Sequence, residues 1–323
     1  MRQRSFGRTA WPVAEVGYGM WGMGGWTGAD DDESRRSLRQ AVDLGCNFFD
    51  TAWAYGAGHS ERLLGELLRT TSGTRIYTAS KIPPKNGKWP AQADYSLDEV
   101  FPADHIRAFT EKTLSNLGVS TLDLMQFHVW SDAWADDQRW QRAIAALKDE
   151  GLVRAFGISL NRWEPANGIR ALRTGLIDAV QVVYNVFDQA PEDELFPVCQ
   201  ELNIAVIARV PFDEGTLTGM LTLESRWPDG DFRNTYFAGD KLRDSVTRAE
   251  ALRPLLPAAT TMATFALRWI LSHPVVSVVI PGMRKPSHVL ANLAASDAGP
   301  LPVELLAASR LHRWDRRPSP QPD

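Results

Sequence analysis

Two cysteines in 323 residues, Cys46 and Cys199, give no disulfide framework and no spacing that suits a metal site. Both are expected to be core thiols. No apolar run is long enough to cross a bilayer as a helix. The opening stretch MRQRSFGRTAWP is charged but lacks the apolar segment of a secretory signal, so a cytoplasmic protein is expected. There is also no long basic block, and a formal net charge of −4 makes nucleic acid and anionic membranes poor partners. Nothing resembling a linker divides the chain. Residues 1–323 are therefore expected to form one domain, with 311–323, ending RRPSPQPD, as a solvated tail. What is plentiful is core material: 44% hydrophobic residues, including 12 tryptophans.

Apolar runs alternate with helical patterns along the chain. A β-hairpin is predicted over 3–14 with its turn at Gly7-Arg8, then a strand near Ala14–Tyr18. A helix over 32–44 is opened by the acidic run Asp30-Asp31-Asp32-Glu33 and closed by Gly45. Further strands are predicted at 46–50, 75–81, 122–128, 153–158, 179–183, 204–209 and 275–280. Helices are predicted at 60–69, 103–117, 134–150, 163–173, 192–202 and 258–272. Eight strands after the hairpin, most followed by a helix, fit an α/β chain folded as a (β/α)8 TIM barrel. Residues 211–257, rich in Gly, Pro, Asp and Arg, are expected as a long loop after the seventh strand, over the carboxyl ends where such barrels carry their chemistry.

Four residues fall at or just beyond those strand ends: Asp50, Tyr55, Lys81 and His128. Neighbouring strands lie about 4.8 Å apart, so Asp50 and Lys81 can pair while Tyr55 and His128 enter from adjoining segments. A carbonyl oxygen gaining electrons needs a donor that stabilises its charge and supplies a proton, and Tyr55 is the candidate general acid. Two unit charges about 4 Å apart at an effective dielectric near 20 interact by about 4 kcal/mol. That would bring the phenol from about 10 down towards neutrality. Asp50 opposes the phenolate but keeps the ammonium charged and oriented. His128, on an apolar strand and followed by Trp130, is expected as a neutral imidazole that orients the carbonyl. A metal-dependent hydrolase built on Asp50 and His128 is the rival chemistry; Lys81 would repel a divalent cation there, so no metal is expected.

FFDTAWAYG followed by SERLLGELL, then TASKI, LDLMQFH and IPGMRKPSHVLANL in that order, resembles the aldo-keto reductases from the hairpin to about Ala295. The resemblance implies transfer of a hydride from NAD(P)H to an aldehyde or ketone, without metal or flavin. It implies that Ser159 and Gln181 hold the nicotinamide carboxamide and that Asn292 reaches the adenine. Gly19, Met20, Trp21, Asp50, Pro211, Gly215, Leu217 and Gly282 are further cofactor contacts on the same ground. Ahead of a helix opened by Pro286-Ser287, Arg284 and Lys285 add positive charge to amide donors, and either suits an adenosine 2′-phosphate. NADP(H) is thus expected over NAD(H).

The chain departs from the family pattern in three places. Leu160 separates Ser159 from Asn161, leaving open which of the two bonds the carboxamide. Arg209 stands where an aromatic ring commonly faces the nicotinamide; a guanidinium plane can stack there but adds positive charge beside a ring that is cationic when oxidised. His288 stands where many members place a phosphate-gripping cation. Trp21, Trp26, Trp53, Trp89, Trp130 and Trp227 supply aromatic lining, with Trp21, Trp53 and Trp130 expected to touch an apolar or aromatic carbonyl substrate. The alternative function is a cofactor-binding sensor with little turnover, in the manner of channel-associated relatives of the family.

Overall fold

The computed structural model describes residues 1–25 and 28–316. Its strands are β1 (Gln3–Phe6), β2 (Trp11–Ala14), β3 (Tyr18–Gly19), β4 (Phe48–Asp50), β5 (Tyr77–Ile82), β6 (Leu122–Phe127), β7 (Val153–Ser159), β8 (Ala179–Val183), β9 (Ala205–Arg209) and β10 (Val276–Val279). Its α-helices are α1 (Asp31–Asp43), α2 (His59–Thr70), α3 (Leu97–Val100), α4 (Ala103–Leu117), α5 (Gln138–Asp149), α6 (Ile169–Arg173), α7 (Leu195–Glu201), α8 (Arg233–Tyr236), α9 (Lys241–Leu252), α10 (Met262–Leu271), α11 (Pro286–Ala298) and α12 (Val303–Arg310). Local chemistry sets several starts. The Asp30 side chain accepts from Glu33 N at 2.7 Å to cap α1, and Asp137 accepts from Arg139 N at 2.9 Å to open α5. That cap is why α5 begins later than the predicted 134–150.

Strands β3 to β10 form one parallel sheet in sequence order. Its edges meet: Gly17 N donates to Val279 O at 2.8 Å and Gly19 N to Pro281 O at 3.0 Å, closing the (β/α)8 barrel. The β1–β2 hairpin seals the base. Phe6 and Val13 pack against Phe48, Leu124, Ile207 and Val278 and against the small residues Ala79, Ala155, Ala179 and Ala205. Gly7, at φ +49°, lets the hairpin approach so closely that a Cβ there would lie 2.4 Å from Ala205 N.

Side chains on a strand alternate faces, so the residues two positions beyond this apolar layer also point inward. Phe48, Ala79, Leu124, Ala155 and Ala179 give way to Asp50, Lys81, Gln126, Gly157 and Gln181. A polar layer therefore sits directly above a dry floor.

Three expectations change. The 211–257 stretch holds α8 and α9 besides the turn Asp213–Thr218; charged residues along Lys241–Leu252 obscure a buried stripe of Ser245, Ala249 and Leu252. Helix 163–173 shrinks to α6, because Trp163 takes φ +61° and Pro165 and Gly168 keep the preceding residues in turns. Residues 311–316 are not a solvated tail: Trp314 N donates to Phe187 O at 2.8 Å, and Arg316 is buried between Asp188 and Asp213. Their partners lie about a hundred positions away, beyond reach of local pattern. Residues 317–323 lie outside the described residues.

Candidate active site

Lys81 is wholly buried, and its ammonium donates to three acceptors: Asp50 Oδ1, Thr51 O at 2.9 Å and Tyr55 Oη at 3.4 Å. Asp50 ends β4 and Lys81 lies in β5, its neighbour in the sheet. The Tyr55 loop is fixed by Tyr55 N donating to Ala52 O at 3.1 Å and Gly58 N to Trp53 O at 2.7 Å. The other carboxylate oxygen, Asp50 Oδ2, accepts from Gln126 Nε2 at 3.1 Å and Gln181 Nε2 at 2.9 Å. Both carboxylate oxygens of Asp50 thus have donors, as a buried carboxylate requires.

His128 follows β6, its amide donating to Ile82 O at 3.1 Å. The imidazole meets the Tyr55 ring edge-on at 5.6 Å and the Trp89 ring edge-on at 4.5 Å. Its Nδ1 is buried without a hydrogen-bond partner. Burial, with Lys81 and then Arg209 adding positive charge nearby, holds the imidazole well below its ordinary value, so it is neutral.

Burial also raises the Tyr55 phenol above its ordinary value of 10.0; Lys81 opposes the rise, and Asp50 adds to it. Tyr55 is therefore not brought towards neutrality, where the Lys81 charge alone would take it. Loss of water around a phenolate and the carboxylate behind the ammonium together outweigh the cation. For Lys81, burial pulls the other way, yet Asp50 and Tyr55 keep the amine above its ordinary 10.5. At neutral pH the site holds a neutral phenol, a charged amine and a neutral imidazole.

Around this centre stand the residues expected to line a cofactor crevice. Ser159, at the end of β7, has no hydrogen-bond partner for its hydroxyl among the described residues, and Gln181 leaves its carbonyl oxygen unused. Arg209 ends β9 and donates from Nη2 to Leu160 O at 2.9 Å. After it, Pro211 leads into a turn with φ of +55° at Glu214 and +112° at Gly215, closed by Leu217 N donating to Phe212 O at 2.9 Å. Across the mouth, Met20 N donates to Asp50 O at 2.9 Å, and Trp21 is exposed against Phe232 at 4.9 Å. Gly282 and Arg284 precede α11, whose N-cap Lys285 offers no side-chain acceptor to the first turn. Asn292 is buried further along that helix, and His288 is exposed, held below its ordinary value by partial burial, Lys285 and Arg284.

A sequence profile of the Aldo/keto reductase family matches residues 15–310. The chain belongs to that family. Its members are NAD(P)H-dependent oxidoreductases. The chain is 27% identical over 303 residues to the aldo-keto reductase YhdN of Bacillus subtilis, covering 90% of this chain and 87% of that one. It is 26% identical over 308 residues to an NADH-specific methylglyoxal reductase of Escherichia coli, covering 91% and 93%. Among solved structures it resembles an aldo-keto reductase of Klebsiella pneumoniae in complex with NADPH, with a TM-score of 0.70, 26% identity, and coverage of 98% and 96%.

Within this aldo/keto reductase, some expected site residues stand elsewhere. Asn161 is used up: its Oδ1 accepts from Ala91 N at 3.2 Å while its Nδ2 donates to Ala91 O at 2.9 Å and Glu164 at 2.7 Å. Ser159 is the one whose hydroxyl keeps no partner among the described residues. Trp130 is wholly buried among Phe127, Trp134 and Trp140, its indole N–H donating to Asp132 at 2.9 Å, so it belongs to the core and not the mouth. Trp53 packs edge-on against Phe109 of α4 at 4.7 Å. Trp89 instead walls His128. Trp26 lies outside the described residues. Gln126 went unnoticed in the sequence because a neutral amide inside LDLMQFH carries no charge signal; its inward parity, two positions before His128, was the available clue.

Proposed function

We propose that the chain reduces small aldehydes or ketones to alcohols with NADPH, Tyr55 delivering the proton. The observation that carries this is the contact between the neutral Tyr55 phenol and the Lys81 ammonium at 3.4 Å, with that ammonium anchored by Asp50 and Thr51 O. Two features of the chain support a cofactor beside the tetrad. Ser159 and Gln181 present unused polar atoms near the tetrad, and α11 presents an end with no side-chain cap behind Arg284 and Lys285. Ser159 and Gln181 would hold the nicotinamide carboxamide, the turn 211–217 and Gly282 the phosphates, Arg284 the 2′-phosphate, and Asn292 the adenine. When bound, NADPH supplies the hydride to the carbonyl carbon.

The protein's share is charge and proton. His128, neutral and partly dry, donates a hydrogen bond to the substrate oxygen without adding a competing acid. As negative charge grows on that oxygen, Tyr55 Oη releases its proton to it, and Lys81 stabilises the phenolate left behind. Asp50 keeps Lys81 charged. Trp21, Trp89 and Phe232 line an apolar mouth, which favours apolar or aromatic carbonyls. The test is a panel of aldehydes and ketones with NADPH and NADH, run on wild type and Tyr55→Phe. Loss of about 10²–10⁴ in turnover with cofactor binding kept is expected. Undiminished turnover in the variant would remove Tyr55 from the role; tight cofactor binding with no oxidation by any carbonyl would favour a sensor.

A further inference from the structure

Gln126 occupies a position that only the three-dimensional register explains. It pairs with Lys81 of β5 on one side and Gly157 of β7 on the other. Gly157 has no side chain; a Cβ there would lie 3.1 Å from Gln126 Cγ and 2.9 Å from Ala179 O. The gap lets the wholly buried Gln126 arm of β6 cross over β7, so that its amide touches Asp50 of β4 and Gln181 of β8. Its Nε2 donates to Asp50 Oδ2 at 3.1 Å, and its Oε1 accepts from Gln181 Nε2 at 3.2 Å.

The pattern fixes the polarity of the whole chain of groups. Both Asp50 oxygens accept, from Lys81 on one side and from amide nitrogens on the other, so the amide edge facing Asp50 is N–H for both Gln126 and Gln181. Gln126 then turns its oxygen to Gln181, which commits both hydrogens of the Gln181 amide, one to Asp50 at 2.9 Å and one to Gln126. What remains for the crevice is Gln181 Oε1, an acceptor. Reversing Gln181 would set its oxygen against both the Asp50 carboxylate and the Gln126 oxygen, two repulsive contacts where there are now two hydrogen bonds.

We infer that Gln126 is a positioning residue that makes Gln181 present an oxygen, so the crevice selects a ring substituent that donates an N–H. Through Asp50 it ties that selection to the same carboxylate that holds Lys81. The inference rests on the carbonyl-reduction reading for its ligand class, a nicotinamide bearing a carboxamide. It differs from that reading in what it requires: a carboxamide is favoured over a substituent without N–H, and the preference depends on a residue outside the crevice.

The experiment is calorimetric binding of NADPH and of its reduced acetylpyridine analogue, in which a methyl ketone replaces the carboxamide. One hydrogen bond's difference corresponds to a preference of up to about tenfold for NADPH in wild type. In Gln126→Leu the Gln181 amide keeps one anchor of two, and the ratio should fall to about threefold or less. A leucine variant that melts cooperatively and keeps the wild-type ratio overturns the inference. If it does not melt cooperatively, Gln126→Met repeats the measurement at similar volume; failure of both to fold makes Gln126 a residue of the fold alone, which also overturns it. Equal binding of the two dinucleotides by wild type overturns it while leaving NADPH-dependent carbonyl turnover intact. No binding of NADPH at all overturns the proposed function itself.

Discussion

Replacing Lys81 by methionine separates two jobs done by one ammonium. Two unit charges 3.4 Å apart at an effective dielectric near 20 interact by about 5 kcal/mol. Asp50, bonded to the same ammonium, opposes the phenolate, and taking half of the attraction as surviving leaves about 2.5 kcal/mol, or roughly a hundredfold in turnover. The second job is structural. Lys81→Met strands the Asp50 carboxylate, 2% exposed, with only amide donors. Breaking a buried pair from one side costs about 3–5 kcal/mol, which in a chain of this length lowers the melting temperature by about 4–7 °C. Lys81→Met/Asp50→Asn removes the stranded charge and should recover more than half of that loss while turnover stays low. Thermal melts and steady-state carbonyl reduction on the two variants read both effects. A double variant melting no higher than Lys81→Met would show that the carboxylate is not what destabilises the single variant. Turnover in Lys81→Met within about threefold of wild type would refute the claim that the cation assists Tyr55.

Arg284→Ala should weaken NADPH by about tenfold or more and NADH little, in titrations of each; equal weakening would place the 2′-phosphate elsewhere. Because the Tyr55 phenol lies above 10.0 and the His128 imidazole well below 6.5, turnover in carbonyl reduction should be flat between those values. A group held below its ordinary value stabilises the fold above that value and loses the contribution as pH falls, since the unfolded chain takes a proton the folded one refuses. His128→Gln should therefore flatten the decline in unfolding free energy, read by denaturant titration, between about pH 7 and about pH 5, by up to about 1.4 kcal/mol per pH unit. Arg316→Met leaves Asp188 and Asp213 buried without their cation and should cost about 3–5 kcal/mol in a denaturant titration. It should also weaken NADPH, because Asp213 opens the turn that carries Gly215 and Leu217.

The barrel was legible because alternation of runs and helices is a local property, and so was the placing of Asp50, Lys81 and His128 at strand ends. Facing direction was legible only within strands. Gln126 obeys the period of two and could have been found by it; Trp130 lies beyond the end of β6, where the period no longer applies, and its ring turns into the core. Asn161 looked equivalent to Ser159 until Ala91, seventy positions earlier, was seen to hold its amide. The phenol's proton affinity was misread for a different reason. Charge partners can be guessed from sequence, but the removal of water that dominates Tyr55 depends on how loops from several elements close together.

Among the described residues the hairpin closes the base of the barrel, which leaves the end with the carboxyl termini of the strands as the way in. Phe6, Val13 and Trp11 stop the lower end, so among the described residues a molecule that reaches Tyr55 comes and goes on the side of the barrel that carries Trp21 and Phe232. Traffic in both directions then shares a single lane. An obstruction lodged at that rim halts entry and exit together, with no need to touch the proton-carrying groups beneath it.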